Sequence, residues 1–253
     1  MQFPDREEIL GVPVDVGTMD AVLERITTAA EQHRHFQVAT VNLDFLVTSQ
    51  QDAEVRSILR STAINIPDGA PVVWAARRLG RPDASRIAGA DLVPLLAERA
   101  AERGLRLFLL GGESGSATIA ADTLTERYPS LSVSHFEPPR ASLDDMDDAT
   151  ILDRVGRASP HILLVAFGHP KQEKWIHRNR ASLPMVAVGV GCSLDLIAGR
   201  VSRAPRWMQD AGLEWSYRLA HEPRRLARRY AGDGLSVFRD LVPWVMTQRL
   251  SRV

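Results

Sequence analysis

Five short segments of the chain bring small, polar and acidic residues together in patterns that can do chemistry. Pro67-Asp68-Gly69 sets a carboxylate in a tight turn. A carboxylate held there can take a proton from an incoming hydroxyl. Asp-Gly is also an ordinary turn pair, so the local sequence leaves a general base and a turn residue both open. Thr40-Val41-Asn42-Leu43-Asp44 offers a hydroxyl and an amide. Gly111-Gly112-Glu113-Ser114-Gly115-Ser116 has glycines where backbone N–H groups could approach a phosphate ahead of a helix N-terminus. It departs from the dinucleotide fingerprint and from the Walker pattern, and a plain strand-to-helix turn fits as well.

Gly168-His169-Pro170-Lys171-Gln172-Glu173 is the fourth segment. Gln172 can donate and accept hydrogen bonds to a polar ligand. Glu173 suits the positive end of a helix, and His169 reads as a candidate acid or base or as a solvated turn histidine. Gly189-Val190-Gly191-Cys192-Ser193-Leu194-Asp195 ends on a further carboxylate. No nucleophile elbow and no spaced His/Cys set for zinc occurs. Asp145 and Asp147 lie in an acidic stretch after Ser142, which reads as a helix start rather than a metal site.

These segments need elements to hold them. Apolar, β-branched runs predict strands at 36–41, 63–66, 106–110, 131–136, 162–167 and 185–190. Most are continuous rather than alternating, as strands covered on both faces are. Helical patterns fill about 18–34, 44–60, 70–79, 90–103, 115–127, 147–157 and 171–181. The alternation predicts an α/β fold, a mostly parallel sheet with helices on both faces, with ligands at the carboxyl ends of its strands. The candidate residues all fall just after strands, which points to a ligand site on one rim.

Past residue 200 no strand is expected. Residues 200–253 hold 11 arginines against 5 carboxylates and three of the five tryptophans, Trp207, Trp215 and Trp244. The expected division is a catalytic core over 1–199 and a helical, Arg-rich appendage over 200–253. The basic tail on an acidic body suggests an anionic partner. No nucleic-acid fold pattern precedes it, so nucleic acid is not expected. Leu235, Phe238, Leu241, Val242 and Val245 form an apolar stripe at helical spacing, with Trp244 and arginines beside it. That composition suits a membrane interface or a core contact, and Pro243 is expected to kink the helix.

The 253 residues carry zero net charge, 45% apolar and 25% charged residues. This is the ordinary globular mix and excludes disordered or collagen-like chains. No apolar run approaches the ~20 residues of a spanning helix. The N-terminus lacks a secretory pattern, and the single Cys192 cannot form an internal disulfide, so a cytosolic setting is expected.

Taken together, the segments resemble the WecG/TagA/CpsF glycosyltransferases. The likeness rests on the blocks already quoted, on Arg86-Ile87-Ala88-Gly89-Ala90-Asp91-Leu92, and on the continuation Lys174-Trp175-Ile176. It extends through Arg203-Ala204-Pro205-Arg206-Trp207, Gly212-Leu213-Glu214-Trp215-Ser216-Tyr217-Arg218-Leu219 and Glu222-Pro223-Arg224-Arg225. The resemblance implies a Rossmann-like core and an inverting transfer, without metal or cofactor. The implied donor is a UDP-sugar, N-acetylmannosamine-type, and the implied acceptor a polyprenyl-diphosphate-linked saccharide. By the same resemblance Asp68 is the general base, and Thr40, Asn42 and Gln172 line the catalytic pocket. Gly111, Gly112, Lys171, Glu173, Asp195 and Arg203 are expected at the substrates. Arg218, Arg225 and Arg228 are expected to close over the donor diphosphate. Peripheral association with the inner face of the cell membrane and a homo-oligomer are further expectations. A glucosyl or other hexosyl transferase, or an inactive nucleotide-sugar binder, are the alternatives. Two departures stand out: many relatives have Gly-Tyr-Phe where this chain has His135-Phe136-Glu137-Pro138-Pro139, and Phe where it has Leu194.

Overall fold

A computed structural model describes residues 6–221, 223 and 234–251. Arg225 and Arg228 lie outside the described residues, as does the side chain of Phe238. Among the described residues eight strands form two sheets. β1 (Arg6–Ile9) and β2 (Val12–Asp15) make an antiparallel hairpin. The main sheet contains β3 (Phe36–Val41), β4 (Ile64–Pro67), β5 (Arg106–Gly111), β6 (Ser132–Phe136), β7 (Ile162–Ala166) and β8 (Val186–Gly189). Its order is β4-β3-β8-β7-β5-β6, and every pairing is parallel. All residues of β3, β4, β7 and β8 are buried, which is why their sequences read as largely apolar runs, broken only by Gln37, Thr40 and Asn65.

Successive strand residues feed opposite cores. Phe36, Val38, Leu107, Leu109, Ile162 and Leu164 pack on the face covered by α1 (Met19–Glu31), α5 (Gly89–Arg103), α6 (Ser116–Arg127) and α9 (Ser193–Ile197). On the other face, Ala39 and Val41 meet α2 (Leu43–Gln51), α3 (Ala53–Ser61), α4 (Ala70–Arg78) and the hairpin. Phe108, Leu110, Leu163 and Val165 meet α7 (Asp148–Ala158) and α8 (Lys171–Arg178) on that same face. The period of two in the strands therefore serves two layers of helices at once.

Three local expectations change. The helix expected over 44–60 is two helices, because Asp52 turns extended (φ −124°, ψ 105°) and caps α3 through Glu54 N–H and Val55 N–H. The helix expected from 147 starts at Asp148, with Asp147 as its cap. The hairpin of β1 and β2 was not expected. Its two-residue turn, Leu10-Gly11, has φ of 49° and 77°. Buried Asp15 anchors it by accepting two 2.8 Å bonds from Arg6 and a 2.7 Å bond from Asn65 N–H of β4.

Among the described residues after 200 there are only helices and connections: α10 (Arg206–Asp210), α11 (Glu214–His221) and α12 (Val242–Ser251). A π-helical turn, Val237–Leu241, leads into α12 directly before Pro243, where a wider turn relieves the proline's clash with the preceding carbonyls. The apolar stripe is divided by packing. Leu241 and Val245 are fully buried against the hairpin and α4, so they are unavailable to a membrane. Leu235, Met246 and Leu250 remain exposed.

Candidate active site

The carboxyl ends of the main-sheet strands form one rim. Chain direction reverses between β5 and β7, since β5 leads outward through α6 to β6 and β7 leads back through α8 to β8. Such a switch opens a crevice at the strand ends. The candidate residues lie along this rim.

Asp68 follows β4. Its N–H donates to Val41 O at 2.8 Å, and its Oδ2 accepts from Gly89 N at 3.3 Å, at the first turn of α5. The carboxyl sits half-buried. Loss of water pushes its pKa up to about 6; the Gly89 N–H and the charges of Arg86 and Arg218 oppose the rise, and Glu214 reinforces it. Such a carboxylate is ionised at neutral pH yet more basic than usual. Buried Thr40 donates its hydroxyl to Gly189 O at 3.2 Å. Asn42 caps α2, its Oδ1 accepting from Asp44 N at 3.0 Å and Phe45 N at 3.4 Å.

Gln172 is placed to hold the site's loops. Its Oε1 accepts from Gly168 N (3.2 Å) and Gly191 N (3.1 Å), and its Nε2 donates to Glu173 Oε1 at 2.7 Å. Both residues are buried, and a Cβ built on Gly189 would come within 2.6 Å of Gln172 Nε2. The second Glu173 oxygen meets His169 Nδ1 at 3.0 Å. His169 is thus not a solvated turn histidine: its ring stacks on Phe45 at 3.7 Å.

At the other end of the rim, Asp195 braces the glycine turn by accepting from Glu113 N at 2.8 Å. Gly112 has φ of +91°, and a Cβ there would lie 3.3 Å from Asp195 Oδ1. The α6 N-terminus behind this turn is already filled. Glu137 accepts from Gly115 N and Ala117 N at 2.6 Å each and from Thr118 N at 3.3 Å. Of the two sequence readings of this turn, a phosphate cradle on the α6 amides is disfavoured here, because a side-chain carboxylate takes the anion's place. Lys171 donates to Ala141 O at 3.0 Å, and Arg140 pairs with Glu113, so the 137–141 segment is strapped across the turn.

Arginines from the tail stand near Asp68. Arg203 grips Asp91 of α5 with two bonds of 2.5 and 2.6 Å, so its fork is engaged within the protein. Arg86 donates to Glu214 of α11 at 2.6 Å. The charge of Arg218, on α11, reaches Asp68. Asp68, Thr40 and Arg218 therefore belong to one end of the rim, and Gly112 and Asp195 to the other. The roles of Arg86, Asp91, Glu214 and Glu137 were not legible as site chemistry. A signal existed in Arg86 and Asp91, charges flanking an apolar helix start. Among the described residues no group of three or more His, Cys, Asp or Glu side chains is placed to hold a metal ion.

This geometry defines a doubly wound α/β protein with a raised-pKa carboxylate and basic groups on its ligand rim. The family model "Glycosyl transferase WecG/TagA/CpsF family" matches residues 7–251, and the chain belongs to that family. Similar relatives carry the name N-acetylglucosaminyldiphosphoundecaprenol N-acetyl-beta-D-mannosaminyltransferase. The one from Bacillus subtilis (strain 168) is 32% identical over 76% of this chain and 73% of its own length. That of Bacillus spizizenii is 30% identical, covering 80% of this chain and 77% of the relative. That of Staphylococcus aureus (strain MW2) is 31% identical over 87% of each.

Proposed function

We propose that this chain transfers an N-acetylmannosamine-type sugar from a UDP-sugar to a polyprenyl-diphosphate-linked N-acetylglucosamine in cell-surface polymer synthesis. The observation that carries it is Asp68, a half-buried carboxylate with pKa about 6 at a strand end, in a chain whose relatives act on such a lipid-linked acceptor. Four inter-strand steps of about 4.8 Å separate the ends of β4 and β5, so the rim spans roughly 19 Å, enough for an extended sugar nucleotide. The sugar end lies at Asp68 and Thr40, and the nucleotide end at Gly111, Gly112 and Asp195. Gln172, Glu173 and Lys171 hold the loops between them.

The reaction is a single inverting displacement. Asp68 takes the proton of the acceptor hydroxyl, whose oxygen forms the new bond to the anomeric carbon. The bond from that carbon to the diphosphate breaks, and UDP leaves with the electron pair. Arg218, Arg225 and Arg228 neutralise the charge that builds on the diphosphate, the task a metal performs elsewhere. The test is UDP release from a panel of UDP-sugars with a polyprenyl-diphosphate-N-acetylglucosamine analogue. Release that requires both substrates is expected; release of UDP from no donor in the panel contradicts the proposal.

The acceptor is a lipid, and no helix of the described residues is long and apolar enough to cross a membrane. Exposed Trp207 (64%) and Trp215 (52%) on adjacent helices α10 and α11, with exposed Arg206 beside Trp207 in the chain, suit a headgroup interface. We therefore place this chain peripherally on the inner face of the cell membrane. Co-sedimentation with anionic liposomes is expected, and Trp207→Ala with Trp215→Ala should weaken it at least several-fold. Equal sedimentation of the double variant would refute that surface.

The same carboxylate has a stability signature. The folded-state pKa of Asp68, about 6, lies above the ordinary 3.8. Protonation therefore favours the folded state, and that stability is lost as pH rises from about 3.8 through 6. Asp68→Asn imitates the protonated form at every pH. It should be more stable than the parent at pH 8, by about 1–2 kcal/mol after discounting for the exposed edge, and no more stable at pH 4. Thermal melts at both pH values check this.

A further inference from the structure

We propose that Glu214 is a positioning residue of the active site: it holds Arg86 off the Asp68 carboxylate and ties α11 down beside it. The inference rests on Asp68 being the base. Arg86 Nη1 meets Glu214 Oε2 at 2.6 Å, with both side chains mostly buried. The pair joins residues 128 apart in sequence, linking the segment ahead of α5 to α11. Arg203 Nε lies 3.9 Å from the other Glu214 oxygen and has no hydrogen-bond partner, while its two terminal nitrogens hold Asp91. Glu214 thus stands between two guanidinium groups.

The charges that reach Asp68 are Arg86 from the segment ahead of α5, Glu214 and Arg218 from α11, and Arg203 from the segment ahead of α10. Three arginines facing one carboxylate would hold it as an ion pair, and a paired carboxylate is a poor base. In the structure two of them are engaged elsewhere. Asp91 takes Arg203 and Glu214 takes Arg86, and among the described residues the hydrogen bond to Asp68 comes from the Gly89 N–H. A buried guanidinium that loses its partner seeks another, and the Arg86 charge reaches two carboxylates, Asp91, which already holds Arg203, and Asp68.

The experiment titrates the Asp68 carboxyl by carbon-13 NMR in the full-length protein, its signal identified by loss in Asp68→Asn. The parent should titrate near 6. Glu214→Gln should bring the midpoint about one pH unit lower or more, with the acid limb of kcat/KM moving the same way. Arg86→Gln should raise the midpoint by more in the Glu214→Gln background than in the parent, so that the double variant returns toward the parent value; equal rises in both backgrounds would be the plain sum of two charges and would overturn the inference. A midpoint unmoved in Glu214→Gln would overturn the inference. So would a double variant titrating as low as the single one, since that marks a displaced α11 and a rehydrated carboxyl rather than a freed arginine. Failure of the underlying reading looks different: Asp68→Asn would keep full turnover whatever Glu214 does to the titration.

Discussion

Asp68→Asn should lower kcat by about 10²–10⁴-fold at saturating donor and acceptor, the usual cost of losing one acid–base group. Asparagine keeps the shape and can still accept from Gly89 N–H, so fold and binding should survive. The remaining turnover should also lose its pH dependence. In the parent, kcat/KM should fall below an apparent pKa near 6, because protonated Asp68 cannot accept the hydroxyl proton. The sign follows from burial: loss of water raises this carboxyl, so its acid limb lies above that of an ordinary aspartate. Activity of Asp68→Asn within a few-fold of the parent would remove the base from the mechanism.

The second large effect concerns the tail arginines. Arg218→Ala, Arg225→Ala and Arg228→Ala should each lower kcat by about 10²–10³-fold, the range seen when one donor to a developing anion is lost. The α6 N-terminus cannot substitute for them while Glu137 fills it. If the arginines do this work, turnover should survive excess EDTA and gain nothing from added Mg²⁺ or Mn²⁺. A collapse in EDTA that metal rescues would show that the diphosphate is stabilised by an ion.

Most of the main sheet was legible in the chain. Strands buried on both faces, such as 36–41 and 162–166, are largely apolar, with Gln37 and Thr40 as exceptions in the first, and that leaves a plain trace in the sequence. The hairpin was not legible because its strands are four residues long and mix Glu7, Glu8 and Pro13 with the apolar positions. Its meaning lies in distant partners: Asp15 reads as a solvated charge until Arg6 and Asn65 surround it. The stripe of α12 shows the converse. Periodicity marked Leu241 and Val245 as one apolar face, but only packing shows that the hairpin, not a lipid surface, covers them.

The rim residues divide in the same way. Asp68 and the glycine turn were visible because turns and strand ends have local signatures. Gln172 was visible as a polar residue at a helix start, yet its three bonds to Gly168, Gly191 and Glu173 come from two loops that meet only in the fold. Glu137 lay in the segment that departs from many relatives, and nothing local shows that it would cap α6 from 22 residues beyond Gly115. Arg86 and Glu214 are 128 residues apart, and no periodicity connects them.

An inverting transfer to a lipid-linked sugar, with Asp68 as base, is read most directly in the anomeric configuration of the product. The chain, a UDP-linked N-acetylmannosamine of α configuration and a polyprenyl-diphosphate-N-acetylglucosamine analogue would be incubated, and the one-bond carbon–hydrogen coupling at the new anomeric centre read by NMR. A β-linked disaccharide on the lipid, formed by the parent and at a far lower rate by Asp68→Asn, is the expected result. An α-linked product, or a β-linked one made equally fast by Asp68→Asn, would rule out inversion with Asp68 as base.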